Sequence, residues 1–195
     1  VSAVLPSFVR AEAEAAFEDG TVDYLGIPAI EIGLRHLQSV GVESIAKRVE
    51  AFTGYLLDEM LKLKHKDGQP LVYLYGPSDT TSRGGTIAFN LLDPTGDMYD
   101  VRLVEALAAE ARISLRTGCF CNPGAGENAF KLTADDVRAC STSDESLTYA
   151  RYIAALTAHT QRTVTGAIRI SAGIATNFED VYAMVRFLHA FVDMP

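Results

Sequence analysis

What this sequence lacks narrows it first. Cysteine is scarce, three in 195 residues. An odd count at low density excludes the disulfide framework of a small secreted domain and points to a reducing, cytoplasmic setting. No apolar run is long enough to span a bilayer. The stretch Val1 to Arg10 has no basic region leading into an apolar core, so it does not read as a signal peptide. Basic residues are outnumbered, 17 against 25 acidic, and the net charge of −8 argues against nonspecific nucleic-acid binding and against attraction to anionic membranes. There is no internal repeat and no low-complexity stretch. Neither a Gly-x-Gly-x-x-Gly nor a phosphate-loop motif occurs, so no direct case for nucleotide binding exists. The chain opens on Val1 rather than Met, the pattern of a processed chain or of a piece of something longer.

What is present is a globular composition. With 48% apolar and 22% charged residues the chain has the means to build a core. A chain of this size buries roughly 70% of its unfolded surface and needs neither disulfide nor metal to fold. Residues 11 to 16 are helix-prone, and Phe17-Glu18-Asp19-Gly20-Thr21 breaks them with turn chemistry. Pro28 at a first turn and Gly41 as a C-cap bracket a helix. Ile45, Val49, Phe52, Leu56, Met60 and Leu63 recur at steps of three and four, which predicts a second, amphipathic helix. Strands are predicted over 71–75 and 86–92, with Asp100 then capping a helix striped by Val101, Val104, Ala108 and Ala111. A short strand over 113–116 precedes a loop over 117–130, read from Gly118, Pro123, Gly124 and Gly126. Thr133 with Asp136 resembles a capping box before a short helix, and a helix is expected over 146–161. A strand over 167–171 and a last helix capped by Asn177 complete the chain. This order predicts an α/β chain, α+β-like, with a small mixed sheet covered by helices on one face.

Three features carry candidate chemistry. Cys119 and Cys121 sit one residue apart in a Gly/Pro loop, where the cation of Arg116 favours a thiolate. On spacing alone the plainer reading, two unremarkable loop cysteines, is favoured over a nucleophile. A metal site is disfavoured: Cys-x-Cys lacks a second ligand pair, and His36, His65, His159 and His189 show no ligand spacing. A Cys119–Cys121 disulfide would be strained at that separation. Cys140, near a helix end, reads as a small packing residue. Arg169 lies inside an apolar strand, either as an exposed edge-strand arginine or as a bidentate clamp for a carboxylate. Thr21, after Gly20, is either part of a plain turn or a hydroxyl presented to a phosphate.

Taken in order, Phe-Glu-x-Gly-Thr (17–21), Tyr-Gly-Pro (75–77), Ile-Ala-Phe-Asn (87–90), Arg-Thr-Gly-x-x-Cys (116–121) and Arg-Ile-Ser (169–171) resemble the C-terminal part of the class V pyridoxal-phosphate enzymes, the cysteine desulfurases and their relatives. The decapeptide Arg-Thr-Gly-Cys-Phe-Cys-Asn-Pro-Gly-Ala (116–125) is most similar to the molybdenum cofactor sulfurase branch. The resemblance implies the C-terminal domain of a fold-type I enzyme, with residues 1–30 as the tail of a large domain plus linker and 31–195 as the small domain. It implies Cys121 as the sulfur-accepting nucleophile, Arg169 as the ligand of the substrate carboxylate, and Thr21 as a contact to the cofactor phosphate of a neighbouring subunit. Cys119 matches a cysteine of the sulfurase branch alone. The implied cofactor is pyridoxal 5'-phosphate, but none of the five lysines (47, 62, 64, 66 and 131) matches the family's lysine motif, so the covalent lysine is expected outside this chain. The implied partners are the large N-terminal domain of the same protein, a second copy in a homodimer, and a small amino-acid substrate. No nucleic acid or membrane partner is expected. Two other readings stay open: a class V aminotransferase or lyase without cysteine chemistry, and a non-catalytic sulfur-carrier or interaction domain.

Overall fold

The computed structural model describes residues 12–17, 20–141, 148–160 and 166–194. The chain divides between Ser44 and Ile45 into two compact units.

In the first unit, Ala13–Phe17 forms one 3-10 turn, and α1 spans Ile27–Val40. Pro28 opens α1, and Gly41 ends it with a φ of 94°, where its N–H reaches back to the Leu37 carbonyl. A positive φ at this position is what glycine supplies without strain. Ile27, Ile30, Leu34 and Leu37 form an apolar stripe, yet α1 buries none of its residues.

The second unit holds the core. Here α2 (Val42–Lys62), all but its first three residues, leads to β1 (Val72–Tyr75) and β2 (Thr86–Leu91), then α3 (Val101–Glu110), β3 (Arg116–Gly118), α4 (Pro123–Ala129), α5 (Ala134–Ser141), α6 (Tyr149–Thr160), β4 (Ala167–Ser171) and α7 (Phe178–His189). The four strands lie in the order β1-β2-β4-β3, and every pairing is antiparallel. The small sheet is therefore antiparallel throughout rather than mixed. Among the described residues no strand pair has the long same-sense crossover that a parallel ladder needs.

Alternation decides what each face of this sheet does. The register sets Ile87 opposite Ile170, Phe89 opposite Ile168, and Val72 opposite Leu91. These side chains pack with Leu56, Leu57 and Met60 of α2, Val101, Val104 and Ala108 of α3, and Val181, Val185 and Leu188 of α7 in one buried cluster. Each fully buried side chain of this kind contributes roughly 1.5–3 kcal/mol. The capping chemistry holds as the sequence predicts. The Asp100 carboxylate accepts from the Arg102 N–H, Asn177 and Asp180 form a reciprocal box, and Thr133 and Asp136 form another.

Two boundaries differ from the sequence reading. The ladder of β3 begins at Arg116, not at Ile113, because the chain is still leaving α3 there: Arg112 has a φ of 58° and the Ile113 N–H bonds back to the Ala108 carbonyl. Ile113 and Leu115 pack against the core instead of pairing. The stretch 117–130 is not one loop either. Gly118 belongs to β3, and α4 occupies Pro123–Ala129 with Asn122 as its N-cap. The ends of the helix expected over 146–161 fall partly outside the described residues.

One buried histidine ties distant segments together. His65 accepts the Asp193 N–H at Nδ1 (3.0 Å) and donates from Nε2 to the Leu92 carbonyl (2.9 Å), which fixes the neutral tautomer. Among the described residues, no helix is long and apolar enough to cross a membrane.

Candidate functional site

The sheet face turned away from the core carries the candidate site. Tyr73 and Tyr75 of β1, Ala88 and Asn90 of β2, Arg169 of β4 and Arg116 of β3 share it by register. Arg169 and Arg116 are direct cross-strand partners, and both are exposed. The sequence left open an edge-strand arginine, but β4 is an interior strand, flanked by β2 and β3. Among the described residues neither guanidinium has a hydrogen-bonding or carboxylate partner. Like charges directly opposite one another destabilise a ladder, so this pair is a standing invitation to an anion.

β3 is held at its far end by close backbone approach. A Cβ on Gly166 would come within 2.7 Å of the Gly118 carbonyl oxygen, and Gly166 has a φ of 129°. The chain then leaves the ladder into Cys119-Phe120-Cys121. Phe120 anchors this segment on the open face. Its ring meets Tyr75 edge-on at 5.2 Å and lies 6.0 Å from Phe130, while Tyr75 packs on Tyr73. Aromatic edge contacts of this kind contribute about 0.5–1.5 kcal/mol each beyond burial. With Phe120 turned inward, the cysteines on either side of it are exposed. Burial raises the Tyr75 phenol far above its ordinary range, so it stays protonated. The sequence did not single out this aromatic seat; the alternation Tyr73, Tyr75 in a short strand was the signal available.

The two thiols meet. Cys121 has a φ of 56°, a left-handed turn that a non-glycine residue rarely takes. The turn sets Cys119 Sγ and Cys121 Sγ 3.6 Å apart, with neither in a disulfide. Cys121 is shifted up from the ordinary thiol pKa, first by its hydrogen bond to Cys119 and by the charge of that neighbour, and Arg116 pulls the other way. The cation that the sequence assigned to thiolate stabilisation is thus present, but its thiol partner outweighs it. Beside the loop lies a recess of about 290 Å³, bounded by Cys121, Phe130, Leu132, Tyr152, Leu156 and Glu127. Burial and the nearby Glu127 charge push the Tyr152 phenol up.

Other sequence candidates fall elsewhere. Cys140 is buried on α5, as a packing residue should be. Thr21 is exposed in the first unit, after Gly20 with a φ of 85°. Glu18 and Asp19 of its motif lie outside the described residues.

With this geometry in place, comparison with known proteins is informative. The class-V aminotransferase family matches residues 4–184. This chain belongs to that family. Its relatives include the molybdenum cofactor sulfurase of Solanum lycopersicum, 35% identical over 187 residues, covering 93% of this chain and 21% of that protein. That of Drosophila mojavensis is 35% identical over 179 residues, covering 88% and 22%. The chain thus spans about a fifth of the length of these curated relatives. Among solved structures, the apo cysteine desulfurase from Thermococcus onnurineus NA1 has the same fold, with a TM-score of 0.54 at 17% identity, covering 93% of this chain and 34% of that one.

The class-V family is one of pyridoxal-phosphate enzymes. The lysines of this chain do not suit the cofactor's aldehyde. All five are exposed. Lys62 is bound by Glu59 at 2.7 Å, which raises its pKa, and Lys66 sits 3.3 Å from Asp193. A Schiff-base lysine needs the opposite, a desolvated amine with a depressed pKa.

Proposed function

We propose that this chain is the C-terminal portion of a pyridoxal-phosphate enzyme of the cysteine desulfurase or sulfurase type, in which sulfur from free cysteine is transferred to Cys121. Residues 31–195 are the small domain of that enzyme, and residues 1–30 link it to a large domain that supplies the covalent lysine. The protein works in the cytoplasm as a homodimer. The carrying observation is the juxtaposition of two arginines with no carboxylate partner among the described residues, Arg116 and Arg169, with an exposed thiol loop leaving the strand that carries Arg116. The guanidinium of Arg169 binds the substrate carboxylate in a bidentate contact. The ladder repulsion between the two arginines is relieved when that carboxylate arrives. The Cys121 thiolate attacks the substrate sulfur: the S–S bond forms as the substrate's Cβ–S bond breaks, the electron pair leaves with the carbon, which is protonated and released as alanine, and the sulfur remains on Cys121 as a persulfide. Thr21 gives its hydroxyl to the cofactor phosphate held by a neighbouring subunit.

The test is made in the intact enzyme that contains this chain. Cys121→Ser should abolish persulfide formation from free cysteine, and Arg169→Ala should raise KM strongly, since a charged contact of this kind contributes roughly 1.5–3 kcal/mol. Full turnover by the Cys121→Ser enzyme with no sulfur on the loop peptide would favour an aminotransferase or lyase instead.

A further inference from the structure

The reaction above uses one of the two loop thiols and leaves the other without a role. In extended backbone, side chains two residues apart point the same way but stand roughly 6.6 Å apart along the strand. Here the left-handed turn at Cys121 brings the two sulfurs to 3.6 Å. Backbone of this kind is costly for a residue with a Cβ, and its visible effect is to close the thiol pair. Phe120, the residue between the two cysteines, is seated on Tyr75 and Phe130. Both cysteines are exposed, so neither is a packing residue.

We infer that Cys119 is a resolving thiol: it attacks a persulfide on Cys121, discharges the sulfur as hydrosulfide and closes a Cys119–Cys121 disulfide. This rests on the reading of Cys121 as a persulfide carrier. In the step, the Cys119 thiolate attacks Cys121 Sγ. The Sγ–Sγ bond forms as the bond from Cys121 Sγ to the outer sulfur breaks, and the outer sulfur leaves with the electron pair as HS⁻. The two thiol sulfurs are oxidised to the disulfide and the outer sulfur is reduced to sulfide. The proton of Cys119 passes to water. No further oxidant is required, because the persulfide supplies it. The strain of so small a ring makes the product a labile disulfide, which a small thiol such as glutathione reopens by exchange. The loop then has two fates for its sulfur: delivery when an acceptor is at hand, or release as sulfide with the loop locked until it is reduced.

The full chain, carrying Cys140→Ser so that only the loop thiols remain, is loaded anaerobically with a limiting amount of inorganic tetrasulfide. Released sulfide and the mass of the loop peptide are followed without added reductant. The expected result is close to one hydrosulfide for each sulfur loaded, with a loop peptide two hydrogens lighter than the dithiol. The same chain with Cys119→Ser or Cys119→Ala should retain its sulfur on Cys121 and release sulfide at least about tenfold more slowly. Equal retention with and without Cys119 would overturn the inference, as would a stable persulfide on Cys119, disulfides between chains, or failure of tetrasulfide to load Cys121. Because tetrasulfide bypasses free cysteine, the two readings fail separately. An intact enzyme that does not load Cys121 from cysteine sinks the desulfurase reading, while sulfide discharge from the tetrasulfide-loaded loop still upholds the role of Cys119.

Discussion

The two faces of the sheet are built from the same strands to opposite ends. One presents Ile87, Phe89, Leu91, Ile168 and Ile170 to three helices and excludes water. The other presents two tyrosines, a buried asparagine and two arginines without a carboxylate partner among the described residues, and its cover is an aromatic anchor, Phe120, from a loop rather than the stripe of a long helix. The first face holds the strands in register, and a one-residue slip would turn every one of these side chains over. The second face draws its geometry from that register and contributes little stability of its own. The difference teaches that Arg116 and Arg169 can oppose each other, at a cost to the ladder, because the side facing the helices stabilises it.

The sharpest way to break this contrast is on the core face. Phe89→Ala, at a fully buried position, should cost about 3–5 kcal/mol in urea unfolding, whereas Tyr73→Ala on the half-buried opposite face should cost far less. An equal loss at both positions would deny the division. Next comes the seam between β3 and β4. Gly166→Ala places a methyl against the Gly118 carbonyl in a backbone region that side chains rarely adopt, and should cost about 1–3 kcal/mol while loosening the cysteine loop. Alkylation of Cys121 faster than in the parent chain would report that loosening. Phe120→Ala removes the loop's anchor and should cost about 1–2 kcal/mol, mostly from its two aromatic contacts; thermal melting with thiol alkylation separates the two effects. Thr133→Ala, remote from both faces, should cost about 1 kcal/mol as a lost cap. The smallest effect on stability is expected from Cys119→Ala, within about 0.5 kcal/mol for an exposed position. Its signature is a pH profile. With the hydrogen bond that raises Cys121 gone and Arg116 still beside it, the Cys121 pKa should fall. The alkylation midpoint should then move to lower pH and the rate near neutrality should rise. A profile that stays put or moves upward would show that Cys119 is not what holds the thiol protonated.

The legible parts of the fold were those with a local cause. Gly41 ends a helix because a positive φ is needed there, and Asn177 with Asp180 three residues on is a local helix-start signature. The helix α4 was hidden by Gly124 and Gly126, although Asn122-Pro123 is itself an N-cap followed by a first-turn proline. The start of β3 was misplaced because Ile113 and Leu115 look like a strand while serving the core. In the site, Cys121 and Arg169 could be singled out by motif and by the cost of an arginine in an apolar strand. The opposition of Arg169 to Arg116 is a matter of register between distant segments, and the meeting of the thiols depends on a left-handed φ at a residue that is not glycine. Neither is written in any local pattern.

Pro123–Ala129 being a helix also sets the reach of the thiol. Three residues, 119–121, separate the end of β3 at Gly118 from the cap of α4 at Asn122. Consecutive Cα atoms stay about 3.8 Å apart, so Cys121 lies one such step from Asn122 at the foot of α4 and at most about 11 Å from Gly118 in β3. The loop is a short leash rather than a swinging arm. On the proposed sulfur-transfer reading, the Cys121 sulfur therefore stays close to the foot of α4, and an acceptor has to travel to the loop to take it. On that reading, selectivity among acceptors becomes a question of which molecules can approach, settled by the shape of the entrance before any bond is exchanged.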